Sequence, residues 1–85
     1  MQKPLRFSAH ALTVMRERGL DATWVETVAR TPLWTAPDPR DPAVERRFGP
    51  VPQRGSRMMR VACVEDDFEI RIISAFLDRG AIKPA

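Results

Sequence analysis

Residues 57–77 read RMMRVACVEDDFEIRIISAFL. Two runs rich in Val, Ile, Met and Phe, Arg57–Val64 and Glu69–Leu77, flank the polar stretch Glu65-Asp66-Asp67. Such a pattern predicts two strands joined by a tight turn, hence adjacent and antiparallel. In the second run Ile70, Ile72, Ser74 and Phe76 alternate with Arg71, Ile73, Ala75 and Leu77. Both sets are largely apolar, which places this strand in the interior of a sheet.

Working back from the hairpin, Gly49–Ser56 is a proline- and glycine-bearing loop, and Val44–Phe48 is a short strand. Val44, Arg46 and Phe48 share one of its faces, Glu45 and Arg47 the other. Pro37-Asp38-Pro39-Arg40-Asp41-Pro42 is too proline-dense for a central strand, and Leu33–Ala36 before it is a brief β-forming run. The N-terminal third is helical in pattern. Ser8 caps a helix through His10–Arg18, with Ala11, Leu12 and Met15 as its apolar stripe and Gly19 as its stop. Asp21 caps a second, Ala22–Arg30, whose core face is Trp24, Val25, Val28 and Ala29; Thr31-Pro32 ends it. Helices followed by strands predict an α+β fold, with two N-terminal helices packed on one face of a four-stranded antiparallel sheet. At 85 residues (1–85) this is a single domain.

Composition narrows the function. One cysteine, Cys63, excludes a disulfide framework and a multi-cysteine zinc site, and it reads as a small core residue. No apolar run is long enough to span a membrane, and the stretch Met1–Arg6 lacks the apolar core of a signal peptide, so a soluble cytoplasmic protein is expected. The net charge is +3, and 12 of the 14 basic residues are Arg. Six of them fall between Arg40 and Arg60 against two acids, whereas Glu65–Glu69 carries four acids and no base. A basic stretch suits a polyanion or an acidic protein partner. There is no glycine-rich phosphate loop, EF-hand spacing or HExxH motif, and no cofactor or metal is expected.

The segment Phe7-Ser8-Ala9-His10-Ala11, followed by Met15, Arg18 and Gly19, resembles domain-of-unknown-function family 4258, which is grouped with RelE-like and BrnT-like toxins. Arg57, Val61 and Ile70-Arg71-Ile72-Ile73-Ser74-Ala75 are similar to the last two strands of BrnT-type toxins, and Glu45-Arg46 and Gly49 sit where that group often has E-R and G. The likeness runs from about Phe7 to Arg79. It implies two helices followed by a four-stranded antiparallel sheet, and a bacterial toxin–antitoxin role as a metal-independent ribonuclease. Three positions depart from the pattern: Val14 and Phe76 stand where Arg is common, and the chain has no Tyr, which many such toxins use.

Metal-free RNA cleavage needs a proton-transfer group and cations for the phosphate. His10, the one histidine, is the candidate acid/base, with Arg18 as phosphate clamp; eight helical steps set them about 80° apart around the axis. The competing reading has His10 fixing the path of the chain into the helix and Arg18 capping its last carbonyls. Arg46, Arg47, Arg57, Arg60 and Arg71 lie on or beside strands and would hold RNA on an open basic face, or else be balanced there by Glu45 and Glu69. Ser74 either donates to phosphate or is satisfied within its strand, and Trp24 and Trp34 read as core or partner anchors. The leading expectation is a toxin-like ribonuclease acting on RNA, free or at the ribosome. The alternative is a non-catalytic protein of the same fold that binds an antitoxin-like partner or nucleic acid, favoured by Val14, Phe76 and the missing Tyr. A third is an interaction partner of another enzyme, with the apolar sheet face buried in a dimer, a homodimer of this chain included.

Overall fold

Ser8 and Asp21 start the two helices, each accepting a backbone N–H with its side chain. Ser8 Oγ accepts from Ala11 (3.0 Å) and Asp21 Oδ1 from Thr23 (2.7 Å). In the computed structural model, which describes residues 2–84, these helices are α1 (Ala9–Arg18) and α2 (Ala22–Arg30). Met1, the first residue of the N-terminal stretch considered above, and Ala85 lie outside the described residues. Gly19, at φ 66°, closes α1 in the left-handed conformation and lets the Leu20 N–H return to Met15 O (2.8 Å).

Around them run β1 (Leu5–Phe7), β2 (Trp34–Pro37), β3 (Glu45–Val51), β4 (Arg57–Glu65) and β5 (Ile70–Leu77), in the spatial order β1-β5-β4-β3-β2. The fold is α+β, but the sheet is five-stranded and mixed, which corrects the four-stranded antiparallel sheet expected from the sequence. The added strand is β1, which pairs parallel with β5 (Leu5 opposite Ile70, Phe7 opposite Ile72). Three residues are too few to display an alternating pattern. Pairing supplies their stability instead: Ile70 N–H donates to Pro4 O (3.0 Å), Ser8 N–H donates to Ile72 O (2.9 Å), and Leu5 and Phe7 pack against the core. The loop expected at Gly49–Ser56 also shrinks, because β3 continues to Val51 before a short 3-10 turn, Pro52–Arg54.

Both helices pack on the same side of the sheet. Ala11, Met15, Val25, Val28 and Ala29 form one buried cluster with Val51, Met59, Val61, Cys63, Ile72 and Ala75. The β4–β5 register contains a bulge. Cys63 faces Ile72 while Ala62 faces Ser74, so Ile73 is an extra residue on β5. The simple alternation expected for this strand therefore breaks. Ile70 and Ile72, then Ala75 and Leu77, point to the helices; Arg71, Ser74 and Phe76 point to the face that no helix covers.

Ser8 joins three of these features, because its hydroxyl also donates to Ile73 O (3.2 Å) at the bulge. Ser8→Ala is expected to cost about 1–2 kcal/mol, read as a lower urea midpoint with an unchanged slope.

Candidate nucleic-acid interface

The uncovered face is organised by strand register. Trp34 on β2 lies opposite Phe48 on β3, Phe48 opposite Arg60 on β4, and Arg60 opposite Phe76 on β5. The four side chains form a row across the sheet. The Trp34 and Phe48 rings stack with centroids 4.7 Å apart and planes 7° from parallel. Phe48 is only 7% exposed although no helix covers it. The Arg60 guanidinium lies over the Phe76 ring, 4.1 Å from its centroid, and Arg18 reaches the same ring from α1 at 5.6 Å. A second row, Ala36, Arg46, Ala62 and Ser74, runs beside the first.

The arginines of this face carry partners of uneven quality. Arg46 Nε donates to Asp38 Oδ2 (3.3 Å), and Arg60 lies 3.5 Å from Asp78 Oδ2. The Arg40 N–H, followed by Asp41 and Arg46, holds the Asp38 carboxyl below its usual range. Burial, followed by the nearby charge of Arg46, lowers the Arg60 guanidinium from its ordinary value. Arg71 is exposed, opposite Val64 and beside Arg6 of β1.

Not all the arginines singled out in the sequence converge here. Arg46, Arg60 and Arg71 do. Arg57 is exposed at the start of β4 opposite Val51, in register with the helix-covered side. Arg47 also lies on the helix side and is a structural tie: it donates to Ala29 O, Glu45 Oε1 and Glu65 Oε1, each at 2.7 Å. Burial opposes its charge, but the bonds to Glu65 and Glu45 outweigh this and hold the guanidinium above its ordinary value. Arg18 does not cap its own helix; although exposed, its Nη1 donates to Ala75 O (2.9 Å) on β5 beyond the reach of β1. With Leu20, Phe76 and Leu77 it lines a cavity of about 370 Å³.

His10 is exposed on the first turn of α1, and among the described residues its ring makes no hydrogen bond. Neither cavity beside Arg18 or between Arg46 and Arg60 is lined by it. Cys63 is fully buried, and burial pushes its thiol up to about 11, so it does not pair with the exposed His10 as a nucleophile. Among the described residues no three His, Cys, Asp or Glu side chains gather as metal ligands would.

A family model described as a domain of unknown function (DUF4258) matches residues 7–77, from the end of β1 to the end of β5. The chain belongs to this family. No curated protein and no solved structure matches it. The matched span holds every element of the two rows and both helices. Phe76 is flanked by two guanidinium groups, those of Arg18 and Arg60. Sequence reasoning missed Phe48 and Phe76 as members of a shared surface. Their signal is the Trp34–Phe48–Arg60–Phe76 register, which depends on a bulge that no residue pattern announces. Among the described residues no helix is long and apolar enough to cross a membrane.

The Arg47 tie generates a stability prediction with a pH signature. Lys3, followed by Arg47, holds the Glu65 carboxyl below its usual range. Ionised Glu65 therefore favours the folded state above the unfolded carboxyl value of about 4.3, and that contribution disappears as pH falls through the lower folded value. Arg47→Met is expected to cost about 2–3 kcal/mol at pH 7. Its deficit in urea melts should narrow below about pH 4 as Glu65 protonates in both proteins.

Proposed function

We propose that this protein is a toxin-like RNA-binding domain that holds single-stranded RNA across the uncovered face of its sheet. The observation that supports this is the row Trp34–Phe48–Arg60–Phe76, in which Trp34 stacks on Phe48 and the Arg60 guanidinium lies over the Phe76 ring across four strands. Rings accept unstacked bases whatever their identity, and guanidinium groups pair with phosphate and stack on bases. Arg46 and Arg71 add cations on the same face, and the net charge of +3 favours approach to a polyanion. A cytoplasmic location, where RNA is met, belongs to this reading.

A metal-independent ribonuclease is the second reading, and Arg18 favours it. With Arg60 it brings two cations to Phe76, the position where BrnT-type toxins carry Arg, so charge is present there without an arginine in the strand. His10 sits on α1 outside both arginine-lined cavities, which favours binding over cleavage. An antitoxin-like acidic chain would occupy the same face and compete with RNA for it.

Fluorescence anisotropy with a labelled single-stranded RNA tests the proposal. Arg60→Ala and Phe76→Ala are each expected to weaken binding about tenfold, the scale of one lost stacking contact. The log–log salt slope of wild type should be negative and should become shallower in Arg60→Ala. Equal affinity of wild type and both variants would overturn the proposal. Incubation in EDTA with His10→Ala alongside reads the ribonuclease: cleavage by wild type that His10→Ala lacks would establish it.

A further inference from the structure

The second row on the uncovered face contains a concavity. Ala62 on β4 and Ser74 on β5 lie opposite one another and are both small, while Arg46 on one side and Arg60 and Phe76 on the other are long. The bulge sets Ile73 into the same space. The result is a cavity of about 290 Å³ lined by Arg46, Arg60, Ala62, Ile73, Ser74 and Phe76 among others.

Its chemistry is two-sided. The floor is apolar or small: Ala62, Ile73 and the Phe76 ring. The walls carry two incompletely satisfied guanidinium groups beside the Asp38 carboxylate. Arg46 meets Asp38 only through Nε, so its terminal amino groups remain free, and Asp38 Oδ1 is already engaged by the Arg40 and Asp41 N–H groups (2.8 and 3.2 Å). Arg60 meets Asp78 only at 3.5 Å. Two guanidinium groups thus line one small cavity with donors to spare; burial and then the Arg46 charge lower the Arg60 guanidinium, and an anion between them would offset the repulsion from Arg46. Among the described residues the Ser74 hydroxyl makes no hydrogen bond either. A bare inorganic anion would use the walls and leave the floor wet. A carboxylate side chain would do the same. A flat ring attached to a phosphate uses both.

We propose that this cavity is a single-nucleotide subsite, with the phosphate between Arg46 and Arg60 and the base seated on Ala62 and Ile73 against the Phe76 ring. The Ser74 hydroxyl then faces the edge of the base. This rests on the RNA-binding reading and gives it a defined anchor: the aromatic row supplies sequence-tolerant stacking, and the cavity sets where one nucleotide stops.

The test uses the full chain and three probes: adenosine 5′-monophosphate, inorganic phosphate and a single-stranded octaribonucleotide. Binding is followed by NMR shifts of the Ala62 methyl and Ser74 amide and by anisotropy. Ala62→Leu fills the floor, Arg46→Gln removes one wall, and Arg57→Gln changes an exposed cation in register with the helix-covered side. The expected result is saturable shifts with the nucleotide, weaker ones with phosphate, and at least a tenfold loss of nucleotide and octamer affinity in Ala62→Leu and Arg46→Gln. Arg57→Gln should keep nucleotide affinity. Should Ala62→Leu fail to fold, Arg46→Gln and the wild-type shift map decide alone. Octamer binding that is unchanged in the cavity variants would overturn the subsite and leave RNA binding standing. Phosphate binding as tightly as the nucleotide would overturn the seat for the base. Nucleotide binding without octamer binding would support the subsite for a free nucleotide and overturn the RNA reading. No binding of any probe would overturn both.

Discussion

One extra residue, Ile73, decides which side chains β5 shows to each face. Before it, Ile70 and Ile72 point into the core; after it, Ala75 does. Without the bulge, strict alternation would send Ser74 and Phe76 towards the helices and Ala75 and Leu77 outward. With it, Phe76 comes into line with Arg60, and Ser74 with Ala62. The row and the cavity both depend on this shift of a single position in the ladder. Ser8 holds the bulge from the far side, donating its hydroxyl to Ile73 O while its backbone N–H donates to Ile72 O. The start of α1 and the geometry of the candidate site are therefore mechanically linked.

A sheet with helices on one side only must finish its other side by itself. Here it does so with side chains from the strands. Trp34 covers Phe48, and the Arg60 stem and guanidinium cover Phe76. The aromatic stack contributes about 0.5–1.5 kcal/mol and the cation over the ring about 0.5–1 kcal/mol. These are modest terms, comparable to what an incoming base would offer the same rings.

The two arginines of β3 illustrate how adjacent residues of one type are sorted. Arg46 and Arg47 differ by one position and hence by one face. Arg47 is spent on the fold, joining the α2 carbonyl of Ala29 to Glu45 and Glu65 beside the buried Cys63. Arg46 keeps free donors over the cavity. The alternation of Val44, Arg46 and Phe48 against Glu45 and Arg47 was legible in the strand pattern. Which of the two faces the helices would cover was not, because both carry charge.

The sequence by itself determined the two helices and their caps, the β4–β5 hairpin, the placement of Cys63 in the core and the family, since each rests on local chemistry: Ser8 and Asp21 accepting N–H groups, Gly19 at positive φ, short motifs of adjacent residues. Only the tertiary structure decided the fifth strand, the faces and the candidate site. Leu5–Phe7 is a strand only because β5 offers it hydrogen bonds from 65 residues away. The Arg18 side chain reaches across to β5 because Ala75 O lies beyond the end of β1 and is open to a donor from α1. Trp34, Phe48, Arg60 and Phe76 form a row because four strands meet in one register, with one residue too many in the last. Non-local pairing set these positions, and no spacing along the chain encodes a partner on another strand.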